Sequence, residues 1–271
     1  MLPLIGPLVI ATTMPAFADG LVYPLGAAAT DKELYIVDRN LAGVWKADGD
    51  KLTVLFQASK KFRTPLNAAR CITLDSKGNV IVGDTSTREV YRLGQDGKPQ
   101  PLTNGGIGMP MGVVDNGKGT LFVTDLELKW VFKVPFDGGK AEKFAELPAP
   151  RGITIDADGY LWIISHGKNQ LLKIAPDGKI TPVVKGRPFQ FPHDVVFDKA
   201  GTAYVSDGYS KAIWKVDSSG KPEKWISGDP LVGPVGLEWR NDKLLIVDPR
   251  AKTVFEAGSD GKVMPVKLSS P

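Results

Sequence analysis

Cysteine and histidine are nearly missing from this chain. Among its 271 residues Cys71 is the only cysteine, and His166 and His193 are the only histidines. One cysteine excludes an intramolecular disulfide and the Cys-x-x-Cys-His of haem attachment. Two histidines exclude a zinc site built on three. There is no Gly-rich phosphate loop and no G-x-S-x-G nucleophile elbow. No long helical pattern occurs, and no Lys/Arg-rich tract of the kind that grips nucleic acid. Charge is nearly balanced, with 34 Lys+Arg against 30 Asp+Glu and a net charge of +4. That suits an anionic partner without requiring one. Cys71 has no neighbour that would activate a thiolate, and it reads as a small buried apolar side chain.

Charge is absent altogether from residues 1–18, where an apolar run from Leu2 to Ile10 precedes Ala16-Phe17-Ala18 and then Asp19. The run is too short and too rich in proline for a membrane span. With its A-x-A pattern it predicts a secretory signal peptide over 1–18, although the usual basic n-region is missing. The expectation is one mature domain over 19–271, periplasmic or secreted, monomeric and without an integral membrane span.

What the chain does contain is turns and repeats, with 30 Gly and 21 Pro. Six copies of one pattern run over 25–38, 70–84, 111–125, 151–165, 193–207 and 235–248. Each reads as a strand, a polar turn and a returning strand. Their ends, Asp38, Asp84, Asp125, Ser165, Asp207 and Asp248, recur every 40 to 46 residues, a propeller-blade period. A third strand with alternating apolar and polar residues follows each copy, as at 212–216. Then comes an Asp-Gly turn (Ser219-Gly220 in the fifth copy) and a fourth strand, as at 180–184. Six four-stranded antiparallel units predict an all-β, six-bladed propeller. Its ring is expected to close by packing of the first blade on the sixth, with Leu21-Val22-Tyr23 adding to a sheet edge. The repeated aspartates are expected to bond backbone N–H groups in the adjoining turns.

The pattern Gly-Ile-x-x-Asp-x-x-Gly-x-Leu-x-Ile-x-Asp, followed by a basic-aromatic strand and Asp-Gly, resembles NHL repeats and the SMP-30/gluconolactonase-like propellers. The resemblance implies a hydrolase whose divalent metal sits over the central channel on Glu, Asn and Asp ligands at the starts of the innermost strands. Here the six residues at those starts are Leu25, Arg70, Met111, Arg151, His193 and Val235. None is a carboxylate or an amide, so a divalent metal is possible but disfavoured, a set of His166, His193 and a carboxylate stays open, and no other cofactor is expected. Asp194 is the nearest carboxylate.

In a propeller the start of each blade's first strand and the end of its second strand fall on the same face. That face also carries Arg39, Arg88, Lys129, His166, Lys168, Tyr209, Lys211 and Arg250, which predicts a basic mouth. The candidate ligand-binding residues are Arg70, Met111, Arg151, His193 and Asp194, with arginine forks suited to a carboxylate or phosphate. The first expectation is a binding module for an anionic small molecule, glycan or protein, with no nucleic acid partner. The alternative is a propeller enzyme, a hydrolase of lactonase type or a lyase, using His166, His193 and Tyr209 with the arginines. Lys60-Lys61-Phe62-Arg63, in the longest connection between blades and on the mouth side, is an exposed loop, a lid or a partner contact.

Overall fold

The computed structural model describes residues 20–269 except Lys60, Phe62 and Gln95. The expected signal peptide and two members of the Lys60–Arg63 loop therefore lie outside the described residues. Among those described there is no helix long and apolar enough to cross a membrane.

Among the described residues, twenty-four strands, numbered in chain order, form six four-stranded antiparallel sheets, each a consecutive quartet. The all-β six-bladed propeller expected from the repeats is the fold observed. Blade four shows how the sequence builds one unit. Its strands are β13 (Pro150–Ile155), β14 (Leu161–Ser165), β15 (Leu171–Ile174) and β16 (Ile180–Val184). Successive side chains of β14 point to opposite faces, as the strand period requires. Leu161 and Ile163 enter the cluster shared with blade three, while Ile164 enters the cluster shared with blade five. All six hydrophobic clusters lie between neighbouring blades, so no sheet has a core of its own. This is why the second strands are apolar on both faces. Each fully buried aliphatic side chain contributes about 1.5–3 kcal/mol relative to exposure.

The hairpins between third and fourth strands approach the neighbouring blade closely. Gly220 has φ 80°, and a Cβ there would collide with the Val183 carbonyl oxygen of blade four. Only glycine satisfies both constraints.

Ring closure differs in part from expectation. Blade one does pack on blade six, through Ala27, Leu34 and Trp45 against Leu245, Val247 and Val254. The segment Leu21–Tyr23, however, joins no sheet edge. The N–H groups of Val22 and Tyr23 donate to the Asp38 carboxylate at 2.7 and 2.9 Å instead. An ionised acceptor offering two bonds at once outcompetes a single ladder position. The edge contact comes from the other terminus. Ser269 forms a parallel bridge with Lys51 on the outermost strand of blade one, donating its N–H to the Asp50 carbonyl at 2.7 Å.

The repeated aspartates behave as expected, and they do more than cap one turn. Asp248 accepts from Arg250 and Ala251 in the turn after it, each at 3.0 Å. It also accepts from Val232 and Gly233, each at 2.8 Å, in the loop that leads into its own blade. Ser165 fills this place in blade four, accepting from the Gly167 N–H at 3.0 Å and donating to the Pro148 carbonyl at 2.6 Å.

Candidate functional site

The innermost strands are β1 (Pro24–Ala29), β5 (Ala69–Leu74), β9 (Pro110–Asp115), β13, β17 (Pro192–Phe197) and β21 (Gly236–Arg240). Five of them break register with their partners at the mouth. The shifts fall at Leu25, Arg70, Met111, Arg151-Gly152 and His193-Asp194. A bulge inserts one extra residue and re-aims its side chain. The ring residues thus leave the strict alternation of their strands, and all six line one central cavity of about 230 Å³. Asp194 lines it as well. Two side pockets open from the mouth. One, of about 180 Å³, is lined by Arg70, His193, Phe191 and Tyr209 among others. The other, of about 270 Å³, has Arg39, Arg70, Met111 and Arg151 in its walls. Arg70 is the residue common to all three spaces.

The arginines are poorly compensated. Arg70 is half-buried and makes no side-chain hydrogen bond or ion pair with any described residue. Burial lowers its pKa, and nearby Arg39 lowers it further. Arg151 is pulled down to about 10, by burial first and by Arg70 second. Its guanidinium lies 4.9 Å from the Phe191 ring centroid, a cation–π contact. Its Nε lies 3.4 Å from His166 Nδ1. The other nitrogen of His166 is 2.7 Å from the Pro192 carbonyl, to which only a protonated Nε2 can donate. The imidazole is therefore the neutral Nε2–H tautomer, with Nδ1 accepting from Arg151. Burial and the Arg151 charge lower its pKa, which agrees with this assignment.

His193 differs. Its ring makes no hydrogen bond with any described residue, and burial, then Arg151 and Arg70, push its pKa down to about 3. Gly208 keeps the space beside Nε2 clear, since a Cβ there would come within 3.1 Å of that nitrogen. Tyr209 stands at the rim, 59% exposed. Cys71 is buried, with its thiol pushed up to about 12 by burial, consistent with an inert apolar role.

Two participants escaped the sequence reading. Phe191 touches four site residues: its ring centroid is 4.5 Å from His166, 4.9 Å from His193 and 4.5 Å from Tyr209, and Arg151 lies over it. Nothing in a single strand pattern marks such a hub. Glu238 lines the central cavity below the ring and is pushed up to about 7, by burial first and then by Asp194. A signal for Glu238 did exist, because the other copies carry Ala28, Thr73, Val114, Thr154 and Val196 at its place. Asp194 is itself pushed up to about 6 by burial, although its carboxylate accepts from Val195 and Leu237 at 2.9 and 3.0 Å. Gly152 permits this arrangement, since a Cβ there would meet Asp194 Oδ1.

A hard divalent cation needs oxygen ligands converging from several blades. This mouth presents two guanidinium groups instead, and both carboxyls beneath it are biased toward their neutral forms. Among the described residues no three His, Cys, Asp or Glu side chains gather in a metal-binding group. The donor set does not fit the metal that the resemblance implies.

Together these features define a six-bladed propeller whose mouth opens on a cavity lined by two arginines, two carboxyls and a neutral imidazole. The SMP-30/Gluconolactonase/LRE-like region matches residues 12–208, and the chain belongs to that family. A gluconolactonase from Zymomonas mobilis is 32% identical over 71 residues, which are 25% of this chain and only 20% of that protein. Among solved structures, a gluconolactonase from Xanthomonas campestris superposes with TM-score 0.74 at 16% identity, covering 91% of this chain and 87% of its own. A catalytically inactive histidine-to-alanine variant of virginiamycin B lyase from Staphylococcus aureus, solved with quinupristin, gives TM-score 0.71 at 19% identity, covering 91% and 84%. At these identities the structural likeness is one of fold. Family membership favours the enzyme reading over the binding module.

Proposed function

We propose that this protein is an enzyme that opens a lactone or related ester bond in a small substrate, at the channel mouth and without a divalent metal. The observation that carries the reading is the trio of Arg70, Arg151 and His193 around one cavity, in which Arg70 has no partner among the described residues. Uncompensated guanidinium groups aimed into a cavity stabilise negative charge wherever it develops there. His193 supplies the base. Water gives a proton to the imidazole and its oxygen attacks the lactone carbonyl carbon. Arg70 and Arg151 hold the resulting oxyanion. As the intermediate collapses, the ring C–O bond breaks and the imidazolium returns its proton to the leaving alkoxide. The net change is lactone plus water to hydroxy acid.

A resting pKa near 3 makes His193 a weak base. Part of that depression comes from the two arginine charges, and negative charge developing between them relieves it. Proton uptake is thereby coupled to the bond-making step. His166, with both nitrogens engaged, acts as a positioning residue for Arg151.

Elimination is the second reading, supported by the lyase among the structural neighbours. The same base would take a proton alpha to a carbonyl, and the same arginines would hold the enolate. Assays on a panel of lactones and esters in ¹⁸O-labelled water separate the two. Hydrolysis places one ¹⁸O in the product acid, whereas elimination leaves none and creates an absorbing double bond. Activity that survives chelator and falls at least 100-fold in both His193→Ala and Arg70→Met is expected. Background-level turnover across the panel, or full activity in His193→Ala, sinks the reading.

A further inference from the structure

We infer that the side groove beside Tyr209 is a subsite for a planar aromatic ring on the substrate, with Tyr209 as its stacking platform. The inference rests on the anion-holding mouth proposed above. Tyr209 is the most exposed large apolar side chain among the described residues, yet it sits against the site and not on the outer wall. Its ring is stacked on Phe191, with centroids 4.5 Å apart and planes 19° from parallel. Phe191 therefore supports one side of Tyr209, while 59% exposure leaves much of the remaining ring open. Such a face gains from an offset-stacked partner.

The platform is held in register with the reacting groups. The Phe191 N–H donates to Asp207 at 2.8 Å, and its carbonyl accepts from the Gly208 N–H at 3.1 Å. The same ring lies edge-on to His193, with centroids 4.9 Å apart. A substrate ring stacked on Tyr209 would thus be indexed through Phe191 to the imidazole.

The groove lining decides the class of ring. Its walls carry Tyr23, Phe191 and Tyr209, with Arg70 and Arg250 as charged members, and no Asp, Glu, Asn, Gln, Ser or Thr. A sugar stacked there would find no carboxylate or amide for its hydroxyls, which is the usual means of fixing them. An aromatic ring needs none. The Arg250 guanidinium, 5.9 Å from the Tyr209 centroid, can hold an acidic or polar substituent on that ring. The substrate class is then a small lactone or ester whose reacting carbonyl lies at Arg70 and whose aromatic ring lies over Tyr209, and a carboxylate probe stands in for the oxyanion at Arg70.

Calorimetry with phenylacetate, acetate and gluconate as probes tests this on the intact protein and on Tyr209→Ala, Tyr209→Phe and Arg70→Met. Tyr209 is exposed, so its variants should keep the fold, and a melting curve checks this. Phenylacetate should bind more tightly than acetate, and Tyr209→Ala should remove about 3- to 10-fold of that preference while leaving acetate unchanged. Tyr209→Phe should restore it. If acetate and phenylacetate bind equally and both depend on Arg70, the platform is wrong while the anion-holding mouth stands. Gluconate binding more tightly than phenylacetate overturns the aromatic class. If no probe depends on Arg70, the mouth reading fails and the inference falls with it.

Discussion

Arg151 and His166 are joined across the mouth of blade four, Nε to Nδ1 at 3.4 Å, with the imidazole locked from behind by the Pro192 carbonyl. A histidine in this setting is an acceptor that aims a guanidinium. It is not a free base, and its value depends on remaining neutral.

His166→Ala should therefore loosen Arg151 without unfolding the protein. The expected loss is about 10- to 100-fold in kcat/KM on whichever ester the protein turns over, roughly 1.4–2.7 kcal/mol. His166→Gln, which keeps an acceptor, should recover part of it. The pH dependence has a definite sign. The folded pKa of His166 lies below its ordinary 6.5, so its stabilising contact is intact above 6.5 and lost as pH falls through the lowered value. A kcat/KM profile that is flat toward acid in wild type would contradict this assignment.

Arg70 makes the opposite kind of prediction, because its cost to the fold has no visible return. Replacing a half-buried, unpartnered guanidinium by a side chain of similar length removes that cost. Arg70→Met should stabilise the protein by about 0.5–1.5 kcal/mol, seen as a rise of roughly 2–5 °C in Tm. Anion binding at the mouth should be lost in the same variant. A lowered Tm would mean that Arg70 serves the fold.

Glu238 and His193 oppose each other in their effect on stability against pH. The folded pKa of Glu238, about 7, lies above its ordinary 4.5, so its contribution is fully present below 4.5 and is lost as pH rises toward 7. His193, depressed from 6.5 to about 3, contributes above 6.5 and loses that contribution as pH falls toward 3. Glu238→Gln should abolish only the loss on the alkaline side. Denaturant titrations should find it more stable than wild type at pH 8, on the order of 1–2 kcal/mol after allowance for water in the channel, with little gain at pH 4.5. Equal differences at both pH values would exclude titration of Glu238 as the cause.

Asp38 holds four backbone N–H groups, those of Val22, Tyr23, Asn40 and Leu41, at 2.7 to 3.1 Å. It is fully buried. Asp38→Ala strands these donors and should cost about 3–5 kcal/mol in chemical denaturation. Asp38→Asn keeps one acceptor oxygen and should cost less. The equivalent change at Ser165, a hydroxyl that holds two partners, should be milder still.

The scaffold was legible because its physics is local and repeated. Six copies of strand, turn and strand, five of them with an Asp at a fixed place and one with Ser165, determine blade number, strand order and the turn role of the aspartates. Glu238 was legible in principle, as the one ionisable residue at its place among six copies. By itself the sequence also determined that the mouth ring carries two arginines and a histidine where the resemblance implies oxygen ligands. The tertiary structure alone decided how those residues face one another. Bulges at five strand starts override the period-two rule by which a strand is read. The partnering of His166, the freedom of His193 and the hub at Phe191 arise from contacts within and between blades four and five, among residues that share no sequence pattern. One detail of closure was decided there too, the bridge from Ser269 to Lys51 on blade one, more than 200 residues away.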